Sequence, residues 1–246
     1  MDAAGFGPGQ RESLEAPVPT PLISNAATVR ITRVDGCGRP VCGADASFVT
    51  ECFASLTMAA NVEDGEDITF KAANGRQCGF KKGCPSLNGY DITFTFYEAS
   101  PELIELMTGS PVYFGYDGKP IGFDSCSIAC KAGFAMEVWT EVLGEDVCED
   151  EAAEGAWVYF VMPWVSNGII GDLELAGEAV NLELTGSTRA GGKWGIGPYD
   201  IQAQDAAGTA GPMLAPLDSS CHRRTFITSI EPPEPSSTYI PVDGEF

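Results

Sequence analysis

The stretch YDITFTFYEASPELIELMTGSPVYFGYDGKPIGF, residues 90–123, decides the fold class. Tyr90, Ile92, Phe94 and Phe96 alternate with Asp91, Thr93, Thr95 and Tyr97. That period of two marks a strand with one buried face. Helix signals follow at once. Ser100 stands where an N-cap belongs, Pro101 at the first helical position, and Glu102 in the first turn, facing the positive end of the helix dipole. Leu103, Ile104, Leu106 and Met107 give the helix an apolar side, and Gly109 offers the left-handed stop that a Cβ resists. After Pro111, Val112 to Tyr116 resumes extended structure and Asp117-Gly118 marks a tight hairpin turn. A helix of about two turns does not persist alone in water. It must be clamped on a sheet.

The flanking chain reads as that sheet. FAMEVWTEV (134–142) alternates as a strand, and GEDVCEDEAAEG (144–155) is an acidic tip. AWVYFVMPWV (156–165) is apolar on both faces, so it is either a central strand covered on both sides or a strand whose outer face meets another subunit. The short helix cannot cap the whole run. Trp157, Tyr159, Phe160, Val161 and Trp164 are therefore candidate subunit-contact residues. Leu173 and Leu175, then Val180, Leu182 and Leu184, suggest two strands with a turn near Gly177. A glycine-rich loop (187–201), an Ala/Gly/Pro linker (205–221), a short strand (224–230) and a proline-rich tail complete the C-terminal side.

On the N-terminal side, residues 72–89 form a long Gly/Cys loop carrying Arg76, Lys81 and Lys82, which is either a solvated loop or a second contact patch. ITFK (68–71) reads as a short strand, NVEDGED (61–67) as an acidic turn, and 48–58 as one strand. Val29, Ile31 and Thr32 suggest a first strand, with a cysteine-bearing loop behind it. The expected organisation is a flexible arm (1–26), one β domain (27–232) and a proline-rich tail (233–246). No internal repeat of fixed period is visible.

Composition narrows the function. Hydrophobic residues make up 44% of 246, enough for a substantial core, and 29 glycines with 17 prolines suit many short strands joined by turns. Thirty-five acids against 14 bases give a formal charge of −21, which repels nucleic acid and anionic membrane. No apolar run is long enough for a transmembrane helix. The first residues lack a basic start and an apolar core, so a cytosolic origin is expected rather than secretion. The nine cysteines, spaced C-x4-C, C-x5-C and C-x3-C in places, miss the common zinc knuckle. Reduced thiols, disulfides formed after release from a reducing cell, and structural metal all stay open.

The search for chemistry returns little. The single histidine, His222, has no G-x-S-x-G elbow to serve. GSTRAGGKW (186–194) misplaces its glycines for a phosphate loop and has Trp194 where Ser or Thr should hold magnesium. GIGPYD (195–200) lacks the third glycine of a dinucleotide fingerprint. The acidic clusters at 62–67 and 145–154 lack the alternation of a calcium loop. The expectation is a non-enzymatic protein without catalytic, cofactor or metal residues.

Several segments together carry a family resemblance. FKAANGRQCGFKKGCPSLNGYDITFTFYEASPELIELMTG, YDGKPIGFD, FAMEVWTEV and GDLELAGEAVNLELTGSTRAGGKWGIGPYDI resemble major tail proteins of long-tailed bacteriophages of actinobacteria, over residues 28–232. The resemblance implies a mainly β, sandwich- or barrel-like tail-tube fold with a flanking helix, long loops and extended termini. It implies six copies closing into a ring, and rings stacking into a tube assembled in the host cytoplasm and found in the virion tail. Implied partners are further copies of the chain, the tape-measure protein and other tail proteins, with double-stranded DNA passing through without specific binding and no membrane. The cysteine content departs from that pattern. Other virion β-proteins, such as a capsid decoration or receptor-binding module, and a secreted cysteine-rich binding module are the alternatives.

Overall fold

A computed structural model of the chain describes residues 22–97, 100–126, 133–143, 156–171 and 181–244. Before the helix run β1 (Leu22–Val34), β2 (Gly43–Thr50), β3 (Phe53–Glu63), β4 (Ile68–Lys71), β5 (Gln77–Lys81) and β6 (Ser86–Phe96). Helix α1 spans Pro101–Thr108. After it come β7 (Val112–Phe114), β8 (Pro120–Phe123), β9 (Gly133–Leu143), β10 (Trp157–Ile170), β11 (Leu182–Thr188), β12 (Gln202–Ala203), β13 (Ala210–Gly211), β14 (Arg224–Thr228) and β15 (Ile240–Val242). The fold is mainly β and its strand pairings are antiparallel, as the alternation predicts. No helix of the described residues is long and apolar enough to cross a membrane.

The main sheet runs β15-β2-β1-β9-β10-β11-β6-β3, with β14 paired to the first half of β10. Consecutive strands β2 and β3 lie near opposite ends of this order, yet only Glu51 and Cys52 separate them. So short a link spans about 10 Å at most. The sheet must therefore curl until its two ends approach each other. Its core agrees: Phe48 of β2, Val29 and Ile31 of β1, Met136 of β9 and Phe94 of β6 share one buried cluster. Helix α1 closes it with Leu103, Leu106 and Met107.

The helix has the punctuation expected of it. The Ser100 hydroxyl accepts from the Leu103 N–H at 3.2 Å, Pro101 opens the helix, and Gly109 stops it at φ 74°. On β6, Ile92, Phe94 and Phe96 are buried while Asp91 is exposed, as is Tyr97 just beyond its end. The opposite face of β1, β9 and β10 holds a second cluster: Val34, Ala135, Trp139, Tyr159, Val161 and the loop residues Trp194, Ile201, Met213 and Leu217. Pro163 interrupts β10 between Met162 and Val165, where the register with β9 shifts. A bulge is where a strand tolerates a residue without an N–H.

Several expectations change. The strand read across 48–58 is two strands, because the chain must leave one end of the sheet for the other at Glu51-Cys52. The loop read over 72–89 contains β5 and the start of β6. Residues 205–221 are not a loose linker, since Met213 and Leu217 are buried against β10's second face. The proline-rich tail contributes β15 to the sheet, and β1 starts at Leu22, inside the stretch read as an arm. Residues 1–21, the acidic tip 144–155, the strand and turn expected over 173–180, Cys130 and Cys148 lie outside the described residues.

Candidate assembly surface

Between Phe53 and Asn88 no residue is buried. Strands β3 and β6 pair from Phe53↔Phe96 out to Glu63↔Ser86, and the β4–β5 hairpin continues the ribbon as a tip. The result is a projecting β arm. Its neck is set by two glycines: a Cβ on Gly65 would lie 2.5 Å from the Cys84 backbone, and one on Gly83 would lie 2.2 Å from the Gly65 carbonyl carbon. The Gly83 N–H also donates to Asp67 Oδ1 at 2.8 Å. In the tip, Phe70 pairs with Gly79 and Thr69 with Phe80. Cross-strand partners share a face and neighbours alternate, so Phe70 and Phe80 point to opposite faces. They are 58% and 55% exposed, and Val62, Ile68 and Leu87 extend the apolar surface. Arg76, Lys81 and Lys82 all lie in this tip and are exposed, as is Lys71.

The arm is anchored where β6 meets β11. The Thr188 hydroxyl accepts from the Tyr90 N–H at 2.8 Å and pairs with His222 Nδ1 at 3.0 Å. The Arg223 guanidinium sits 4.7 Å from the Tyr90 ring centre. His222, for which the sequence offers no nucleophile elbow, is thus a buried part of this anchor.

A second apolar projection is the β7–β8 hairpin. It packs on α1. Tyr113, Phe114, Tyr116 and Ile121 stay exposed, Tyr116 completely. The Asp117 carboxylate accepts from the Lys119 N–H at 3.2 Å and holds the turn. Cys126 follows the hairpin, and Cys78 and Cys84 lie on the arm; all three are exposed free thiols.

Strand β10 is different. Tyr159 and Val161 are buried under the 194–217 segment, whereas Trp157, Phe160 and Trp164 are half-buried. The central-strand reading therefore accounts for the apolar run without a second subunit, and within 157–165 any surface β10 offers comes from those three aromatic residues. Beneath it lies an ionic cluster that sequence reading missed. Arg30 donates twice to Glu137, at 2.7 Å each, and Glu137 also accepts from the Tyr159 hydroxyl. The Arg30 guanidinium lies 3.3 Å from the Tyr199 ring centre and 5.0 Å from that of Trp139. The Tyr199 hydroxyl bonds Thr32 Oγ1 at 2.8 Å. Burial alone would lower the Arg30 pKa, but the Glu137 carboxylate reverses this and holds it above its usual value. Burial, reinforced by the same carboxylate, pushes Tyr159 well above the usual phenol range. The signal for the pair was a charge at an inward position of an otherwise apolar strand, at Arg30 and at Glu137.

Among the described residues, no group of three or more His, Cys, Asp and Glu side chains is arranged to hold a metal ion. No protein-family model and no curated protein matches the chain.

Proposed function

We propose that the chain is a structural subunit that assembles with copies of itself into rings and stacked tubes, as the tail-tube proteins of long-tailed bacteriophages do. One observation carries this: about a seventh of the chain is built into an arm in which no residue is fully buried, and beyond its root, where Phe53, Leu56 and Met58 rest on the core, it exposes apolar side chains. An uncovered, apolar β ribbon is an invitation to pair, and a protein that keeps one normally covers it with a partner. The bases of the tip, in a chain of net charge −21, favour a strongly acidic partner, and another copy of this chain is one. In this reading the ring has six members, and its partners are the tape-measure protein and other tail proteins. An acidic wall suits a conduit because it offers transiting DNA no adhesive site.

The experiment is negative-stain electron microscopy of the purified full chain, paired with sedimentation over a range of concentrations. Rings or tubes are expected. A protein that stays monomeric at every concentration overturns the proposal.

A further inference from the structure

The arm tip has an uncovered aromatic on each face, and β4 and β5 pack on each other and on little else among the described residues. The β7–β8 hairpin is the other projection with a concentrated apolar surface, and its seat on α1 holds it ready. Taking the chain as the self-assembling subunit proposed above, we infer that the arm tip of one copy docks on the β7–β8 hairpin of a second copy. Three features join these surfaces. Residues 68–84 hold four bases and no acid, while the body they would approach is strongly acidic. Tyr113, Phe114 and Tyr116 offer ring faces on which Lys and Arg side chains are attracted beyond their apolar contact. A platform fixed in advance loses less freedom on binding than a loose loop.

Tip-to-tip pairing is disfavoured by the same charges, because it brings Lys71, Arg76, Lys81 and Lys82 of two copies together. The proposed contact uses two different patches, so one copy cannot satisfy its neighbour and itself with one interface. Such a heterologous contact propagates, and it yields either a closed ring or a filament.

Native cysteines provide the test. Cys78 and Cys84 lie on the arm, and Cys126 follows the hairpin. The assembled full-length protein is treated with a short bismaleimide, and cross-linked peptides are identified by mass spectrometry, with microscopy of the same sample. Links from Cys78 or Cys84 of one copy to Cys126 of another are expected, and Cys126→Ser should remove them while leaving assembly intact. Tyr113→Asp, and Phe70→Asp combined with Phe80→Asp, should each weaken association about tenfold or more. At concentrations where the parent is also dissociated, their melting temperature should stay near that of the parent, because these side chains bury no core. Rings or tubes whose links join tip to tip, or avoid Cys126, overturn this docking while leaving the tube-subunit reading in place. Absence of any assembly overturns both.

Discussion

Glu137 is buried, and three hydrogen bonds converge on its carboxylate. Two come from Arg30 and one from Tyr159, all buried. Removing one member of a buried pair leaves the other charge stranded, at about 3–5 kcal/mol. Glu137→Leu is expected to destabilise the protein by that order in urea unfolding, and Arg30→Met beside it should recover a large part. The phenols of Tyr159, Tyr199 and Tyr239 are all held above their ordinary value, burial being the first cause in each case. Their unfolded counterparts release protons near pH 10. Above that pH the unfolded chain binds fewer protons than the native one, so stability is complete below about pH 10 and falls as pH rises further. Phenolate absorbance followed beside circular dichroism should show these tyrosines ionising only together with unfolding. A smooth titration of all seven tyrosines in folded protein would contradict this. At the helix start, Ser100→Ala should cost about 1 kcal/mol by loss of its bond to the Leu103 N–H. Gly109→Val should cost more, because φ there is 74°.

Elements were legible where burial and local chemistry coincide. Helix α1 has a cap, an apolar side and a glycine stop in ten consecutive positions, and β6 alternates cleanly because one face alone meets the core. The ITFK strand of the tip was legible, but its partner β5 was read as loop for the opposite reason: with both faces in water, nothing imposes a period on its sequence. The 194–217 cover was hidden too. Its inward residues Trp194, Ile201, Met213 and Leu217 are spaced without regularity, because an irregular segment has no fixed face. That cover sharpens the test on β10. Val161→Lys buries a charge among Tyr159, Trp194 and Met213 and should unfold the subunit. Phe160→Lys strikes a half-buried side chain on the other face, and should leave a folded monomer that no longer forms rings. If both variants fold and assemble, β10 is neither core nor contact. Elsewhere on the same strand, an added Cβ at Gly168 would stand 1.9 Å from the Met107 carbonyl oxygen. Gly168→Ala must push α1 off the sheet, and a loss of roughly 1–3 kcal/mol in denaturant unfolding is expected.

At the scale of the molecule, charge and curl matter most. With −21 net charge, submicromolar affinity for duplex DNA is not expected at physiological salt, and the basic tip is the one place that could supply it. Filter binding across a salt series checks this; tight, salt-sensitive binding would remove the acidic-conduit argument. The composition signalled that charge and the β class, but not the curl, which depends on which strands are neighbours. The curl also has a consequence for synthesis. Ile240 and Val242 pair with Ser47 and Gly43, and the Ser236 N–H donates to the Val49 carbonyl at 3.0 Å. On the ribosome, β2 therefore waits for nearly two hundred further residues before its outer edge is sealed. Contacts so distant in sequence slow folding, and an unsealed edge is the stretch that strays into other chains. A transcript cut short before this last strand would yield a chain whose β2 is left sticky, so the closing residues act as a seal that only chains made through Val242 carry.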